Sequence, residues 1–364
     1  MRVAYVHDWL IVRAGAEKVL EEMVKTVKAD EIFTLFYKKE NFKNSPISQF
    51  KITTSPLNDL PFVHKYYRSL LPFMPLAVEW FDLRGYDLVI SSSHSVAKNV
   101  ITFPHQVHIC YCHTPIRYAW DLTHEYLRTL PPPLRIFAHG ILKKIRMWDF
   151  VSSSRVDLFI ANSTTVARRI KKYYNRDSVV IYPPVEVEKF KIGKPRDYFI
   201  TVSRLVPYKK VDVIVSAFNE LRLKLLVVGD GPEMGRIKKL AGKNVEILGW
   251  VDDNTLVELL SNARAFVYCA YEDFGISPVE ANASGLPVIA YGYGGVSETV
   301  IDGETGLFFY EQSPNALKEA VLRFLKIEDN FDRERIRKHS LNFSANVFRE
   351  KFLNVVRSSV KFPI

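Results

Sequence analysis

The segment 265–290, AFVYCAYEDFGISPVEANASGLPVIA, constrains the fold of this chain more than any other. Its first five residues are an apolar run that predicts a buried strand. An acidic loop with Glu272 and Gly275 follows, then a helix start at Ser277-Pro278-Val279-Glu280, then a second short strand at 287–290. Gly275 and Pro278 argue against one helix carrying both glutamates: Glu272 hangs from a strand end, and Glu280 sits in the next helix's first turn. In an open α/β sheet, ligands bind outside the carboxyl ends of the strands, where this loop lies. Two carboxylates beside free helix N–H groups suit a polyhydroxylated ligand that carries an anion. Ser277 and Glu280 also match a capping box with Pro278 at the first helical position, so a structural reading of Glu280 stands beside the functional one. Glu272 has no such local task.

The same strand–helix alternation runs through the chain and predicts parallel sheets covered by helices. Strands are expected at 3–7, 32–37, 51–54, 87–91, 107–112, 156–161 and 179–182. A second series runs from Tyr198 to about Leu325. At 364 residues the chain can form two cores. Residues 1–184 form the first domain and 197–342 the second, with 185–196 as linker and a closing helix from about Phe343. No apolar run is long enough for a transmembrane helix, and the strand-like start leaves no room for a signal peptide. Cys110, Cys112 and Cys269 fall in strand-like runs, which predicts buried thiols and a cytoplasmic setting. The formal charge of +10 favours phosphate-bearing partners. No basic run interleaved with aromatics appears, so nucleic acid is not expected as a partner.

Glu272 and Glu280, in the form EDFGISPVEANASGLPVIA, resemble the E-x7-E signature of retaining glycosyltransferases of family 4. Other pieces of the chain follow in that family's order. The resemblance implies an α/β GT-B fold: two Rossmann-like domains facing a cleft, with a C-terminal helix crossing back to the first. The family's arginine and lysine fall on Arg204 and Lys209, in Thr201-Val202-Ser203-Arg204-Leu205-Val206-Pro207-Tyr208-Lys209-Lys210. Those cations suit a diphosphate and the charge that grows on it as it leaves, so no metal or other cofactor is required. Lys210 stands where the family often has glycine. His113, at the end of the 107–112 strand, matches the family's cleft histidine, which contacts the transferred sugar.

The resemblance implies catalytic roles for His113, Glu272, Arg204 and Lys209. Donor contacts are expected from Gly15, Arg204, Lys209, Val251, Phe274, Gly275, Ile276 and Glu280, with Glu280 on the ribose. The string 113–121, HTPIRYAWD, resembles mannosyltransferases of O-antigen type. It makes Arg117, Tyr118, Trp120 and Asp121 candidates for the acceptor. The expected activity is transfer of a sugar, mannose from GDP-mannose first, to a glycan or lipid-linked acceptor. The alternatives are a UDP-sugar-dependent enzyme of the same fold, a nucleotide-sugar epimerase, and a non-catalytic nucleotide-binding protein.

Glycines in 227–232 are read as serving a turn, and Gly294-Gly295 as a turn near the ligand edge. The segment 61–80 has more apolar surface than one core face needs. Residues 134–150 read as a basic amphipathic helix with Ile136, Phe137, Ile141, Leu142 and Ile145 on its apolar side. Lys143, Lys144 and Arg146 suit anionic headgroups at the inner face of the cell membrane, or else a solvated basic face.

Overall fold

The computed structural model describes residues 1–128 and 130–360. It separates into two compact units: residues 1–183 with the C-terminal stretch from Phe348, and residues 184–347. Each is built on one parallel sheet, as the alternating apolar runs require.

The first sheet holds β1 (Val3–His7), β2 (Glu31–Thr34), β3 (Lys51–Thr54), β4 (Leu88–Ser93), β5 (Val107–Cys112), β6 (Leu158–Ala161) and β7 (Ser178–Val180). Their spatial order is β3-β2-β1-β4-β5-β6-β7, every pair parallel. The second sheet holds β8 (Phe199–Val202), β9 (Leu225–Val228), β10 (Val245–Gly249), β11 (Phe266–Tyr268), β12 (Val288–Tyr291) and β13 (Gly306–Phe309). Its order is β10-β9-β8-β11-β12-β13. Strand order therefore reverses between β1 and β4 in one unit and between β8 and β11 in the other. These two switch points are where doubly wound sheets open a crevice.

From Phe348 on, the last helix, Ala345–Ser359, belongs to the first unit. Phe348, Phe352 and Val356 repeat at a helical interval, are buried, and join the core around Tyr5, Leu20 and Met23. Residues 185–196 are ordered on the second unit: Val185, Val187 and Phe190 are buried, and the Arg196 N–H donates to the Asn262 carbonyl at 2.6 Å.

In the first unit the helix Pro132–Ser152 buries Leu142, Ile145 and Asp149. Asp149 accepts from Lys98 Nζ, Asn99 Nδ2 (3.2 Å), Trp120 Nε1 (2.9 Å) and the Tyr174 hydroxyl (2.8 Å). Burial alone would lower the Lys98 pKa; the Asp149 carboxylate outweighs it and holds the ammonium above its ordinary value. The helix's outer face differs from the amphipathic reading. Ile136 and Phe137 face outward with Met147, Phe150 and Val151, all 49–83% exposed, and Lys143 and Lys144 lie among them. Arg146 turns inward, donating to the Ala119 carbonyl at 2.7 Å. The neighbouring segment 61–80 is a chain of short helical turns that exposes Phe62, Phe73, Leu76 and Trp80.

Candidate active site

Two loops leave the strands that flank the second switch point. One follows β8 and carries Arg204, Lys209 and Lys210; the other follows β11 and carries Glu272. They meet through one carboxylate. Lys209 Nζ and the Tyr268 hydroxyl both reach Glu272 Oε2. The three groups are mostly shielded: Lys209 and Glu272 side chains are 13% and 22% exposed, and Tyr268 is buried. Burial first, and then the Glu272 charge, push the Tyr268 phenol far above its ordinary pKa, so it is a donor to that carboxylate. Arg204 is exposed and has no ion-pair partner among the described residues. Tyr268 is the contributor missed in the sequence; as the last residue of β11 it is one register step from a loop already singled out.

Lys210 adopts left-handed backbone (φ +54°) immediately before the helix Val211–Leu221. The turn that favours glycine is thus kept, carried here by a lysine.

Two pairs of glycines support these loops; Gly229 (φ +126°) and Gly294 (φ +84°) take the left-handed backbone of a turn, and all four also allow close approach. A Cβ on Gly229 would stand 1.9 Å from the Ser203 carbonyl oxygen, and one on Gly231 2.3 Å from that of Leu205. They brace the residues on either side of Arg204. A Cβ on Gly294 would meet the Glu272 carbonyl oxygen at 2.5 Å, and one on Gly295 the Phe274 Cα at 2.2 Å. The Gly295 N–H also donates to the Glu272 carbonyl at 2.8 Å.

The helix after Glu272 starts at Ile276, capped by Gly275 in left-handed backbone (φ +91°). Pro278 is therefore its third residue and Glu280 its fifth, two residues further in than the sequence suggested, and no Ser277–Glu280 capping box forms. Glu280 is half-buried and engaged with its surroundings. Phe274 points its ring into the interior against Phe343 (centroids 5.8 Å apart), so its backbone, with Gly275 and Ile276, borders the loop. Val251 follows Gly249, whose carbonyl accepts from Gly229 N at 2.7 Å.

The first unit gathers imidazoles at its own switch point. His7 ends β1, Ser92 lies opposite it in β4, and His113 follows β5. Ser92 Oγ is 3.1 Å from His7 Nδ1 and 2.9 Å from His113 Nε2. His94 Nδ1 lies 3.3 Å from Asp8 Oδ2. The Asp8 carboxylate also takes the backbone N–H groups of His94, Ser95, Val96 and Ala97 at 2.6–2.9 Å. Burial, reinforced by His94 and His7, pushes the His113 pKa well below its ordinary value, so this imidazole is neutral. His7, Glu17 and His94 bring three metal-capable atoms within 4.8 Å of one another. Gly15 is the first residue of the helix Gly15–Thr26 and has no left-handed backbone; the Ala14 N–H before it is taken by Glu17 at 2.9 Å.

The four residues of the 117–121 string have partners within the unit. Arg117 pairs with Asp121 (3.2 Å), which also meets Arg169 (3.4 Å). Tyr118 shares a hydrogen bond with Ser95 (2.7 Å). Trp120 stacks on Tyr173 at 4.7 Å and donates to Asp149.

Comparison with known proteins agrees with this architecture. The model of glycosyl transferases group 1 matches residues 184–342, and that of glycosyltransferase family 4 matches residues 14–189. An uncharacterized glycosyltransferase of Methanocaldococcus jannaschii is 28% identical over 211 residues, 57% of this chain and 60% of the relative. A GDP-mannose-dependent alpha-(1-6)-phosphatidylinositol monomannoside mannosyltransferase of Mycobacterium tuberculosis is 32% identical over 156 residues, 38% of this chain and 40% of the relative. The matches thus span 60% or less of these relatives' length. Among solved structures, Anabaena HepE in complex with UDP superposes with a TM-score of 0.74 at 16% identity, covering 98% of this chain and 100% of HepE. Two glycosyltransferase models thus match adjoining parts of the chain, residues 14–189 and 184–342, and the fold is GT-B.

Proposed function

We propose that this glycosyltransferase moves mannose from GDP-mannose to a glycan or lipid-linked acceptor with retention of configuration. The observation that carries the transferase reading is the Lys209–Glu272–Tyr268 constellation beside Arg204, at the switch point of the second sheet. Arg204 grips diphosphate oxygens in its fork, and Lys209 adds a point charge. Both stabilise negative charge as the bond from the anomeric carbon to the diphosphate breaks. Glu272 orients the sugar through its hydroxyls, and Glu280 takes the ribose. The acceptor oxygen attacks on the face that the diphosphate vacates, and its proton passes to the departing diphosphate. The two cations meet the leaving charge, so the reading requires no metal. His113, in the first unit, is proposed to contact the transferred sugar, and Arg117, Tyr118, Trp120 and Asp121 to shape the acceptor's surroundings.

Mannose rests on the 113–121 string and on the GDP-mannose-dependent relative. HepE, bound to UDP, supports the second reading, a UDP-sugar donor on the same residues. Calorimetric titration with GDP-mannose, GDP, UDP-glucose, UDP-N-acetylglucosamine and UDP decides between them. Tighter binding of GDP and GDP-mannose supports mannose transfer; tighter binding of a UDP ligand removes it and keeps the site. E272A should lower transfer by ~100-fold or more, the scale of a lost transition-state contact. Unchanged transfer would return the chain to a binding role. The outer face of Pro132–Ser152, apolar with two lysines among the exposed side chains, suits a peripheral position on an anionic membrane, where a lipid-linked acceptor would reside.

A further inference from the structure

The strand register that sets His7 opposite Ser92 has a chemical consequence for His113. We propose that Glu17, His7 and Ser92 act as a positioning chain that fixes one tautomer of His113, with the proton on Nε2 and Nδ1 left as a hydrogen-bond acceptor. The inference rests on the transferase reading only for its ligand, a hydroxyl of the transferred sugar; the tautomer is a property of the protein.

Each link follows from donor and acceptor counts. Glu17 is buried, which opposes its charge, but the imidazoles of His7 and His94 that face it hold its pKa below the ordinary carboxyl value. It is therefore a carboxylate and accepts only. Its Oε2 is engaged by the Ala14 N–H at 2.9 Å, and its Oε1 lies 3.6 Å from His7 Nε2. His7 is 1% exposed, and its Nε2 has no hydrogen-bond partner. An N–H dipole facing that carboxylate is attracted and a lone pair is repelled, so in the neutral imidazole the His7 proton resides on Nε2. His7 Nδ1 is then an acceptor, and the single proton of the Ser92 hydroxyl is directed to it at 3.1 Å. Having spent that proton, Ser92 Oγ can only accept from His113 Nε2 at 2.9 Å. His113 is neutral, so its Nδ1 keeps a lone pair, and that atom has no protein partner among the described residues. His94 stays outside the chain because its Nδ1 and backbone N–H are both turned to Asp8.

Long-range 1H–15N correlation spectra of histidine-labelled protein read the tautomer directly. The chain has nine histidines, and H113Q identifies the signals of interest. Wild type is expected to show His113 protonated at Nε2. S92A should leave both His113 nitrogens averaged, and S92T should restore the fixed state. E17Q should invert it. The amide oxygen stays on the Ala14 N–H, so the amide NH2 faces His7 Nε2, moves the His7 proton to Nδ1 and turns the Ser92 hydroxyl toward His113. In parallel, S92A and E17Q are expected to lower kcat/KM for the donor about tenfold, the scale of one lost hydrogen bond, with S92T near wild type. Protonation of wild-type His113 at Nδ1, or spectra indifferent to S92A and E17Q, would overturn the proposal. So would one equivalent of zinc bound by wild type and lost in H7Q, which would make His7, Glu17 and His94 a metal site. If the chain transfers no sugar, the spectra still decide the tautomer, so that failure and this one are told apart.

Discussion

The Lys209 ammonium and the Tyr268 hydroxyl converge on the same oxygen of Glu272. Both loops at the switch point are thereby tied to one carboxylate, and its position depends on Tyr268 as much as on its own backbone. Y268F removes that donor without creating a cavity. It is expected to lower kcat for transfer by about tenfold to a hundredfold, with a melting temperature close to wild type. Steady-state kinetics beside a thermal melt check this. Wild-type kcat in Y268F would mean that Lys209 alone holds the carboxylate.

The glycine pairs make a second prediction. In G295A the new methyl would overlap the Phe274 backbone, and in G229A the Ser203 carbonyl oxygen. Neither neighbour is a side chain that can swing away. Each variant should be destabilised by about 1–3 kcal/mol and should bind nucleoside diphosphate at least tenfold more weakly. The control is G235A, inside the helix Met234–Leu240, where nothing lies within 4 Å. There alanine should stabilise by about 0.5–1 kcal/mol. Urea denaturation and calorimetry of the three variants separate the cases; native-like binding by G295A would show that the 272–275 loop needs no such support.

These glycines mark the limit of what the sequence discloses. Alternating apolar runs reveal parallel sheets, because buried strands must be apolar and each must be followed by a covering helix. E-x7-E marks the loop after β11 because Glu272 has no local structural use. Neither pattern says which turn lies against which loop: the contact of Gly295 with Phe274, or of Gly229 with Ser203, is a product of strand order. The same holds for Ser92, whose partners His7 and His113 are far off in the chain and near only through the β1–β4–β5 pairing. The capping-box reading of Ser277 failed because Gly275 could take the left-handed cap and start the helix earlier. The outward phase of Ile136 and Phe137 was hidden because Asp149, a polar residue, claims the buried side of its helix.

That buried aspartate carries the third prediction. K98M would strand the Asp149 carboxylate in a fully buried position beside Trp120 and Tyr174. Removing one member of a buried pair costs about 3–5 kcal/mol. K98M/D149N removes the orphaned charge and should recover part of the loss. Denaturant midpoints for the single and double variants test this; equal midpoints for K98M and wild type would show that water reaches Asp149.

Stability should also fall in mild acid. Burial holds the His108 imidazole at about 4, against an ordinary value of 6.5. Below pH 6.5 the unfolded chain takes up a proton there that the native state refuses until pH 4. The stability at stake is fully present above 6.5 and is lost as pH falls from 6.5 to 4, by about 3 kcal/mol. His94 and His113, also lowered by burial first, act in the same direction. H108L should flatten the fall of the urea midpoint across this window. An unchanged slope would assign the acid sensitivity to other groups.

The outer face of the helix Pro132–Ser152 yields the final prediction. A helix packed on one side and solvated on the other has no reason to expose Ile136, Phe137, Met147, Phe150 and Val151 together. Lys143 and Lys144 among them add attraction to anionic headgroups, which fades within a Debye length and weakens with salt. The two contributions separate by mutation. I136S/F137S should weaken binding to vesicles containing anionic lipid at least tenfold at any salt concentration, because it removes apolar surface that would enter the interface. K143Q/K144Q should weaken it to a similar degree in low salt and much less in high salt. Neither pair touches the Lys209–Glu272–Tyr268 constellation, so hydrolysis of donor in solution and nucleotide affinity should stay at wild-type levels while transfer to a lipid-embedded acceptor falls. Vesicle sedimentation across a salt series is the measurement. Binding that ignores both double variants would leave the exposed apolar face without a membrane role.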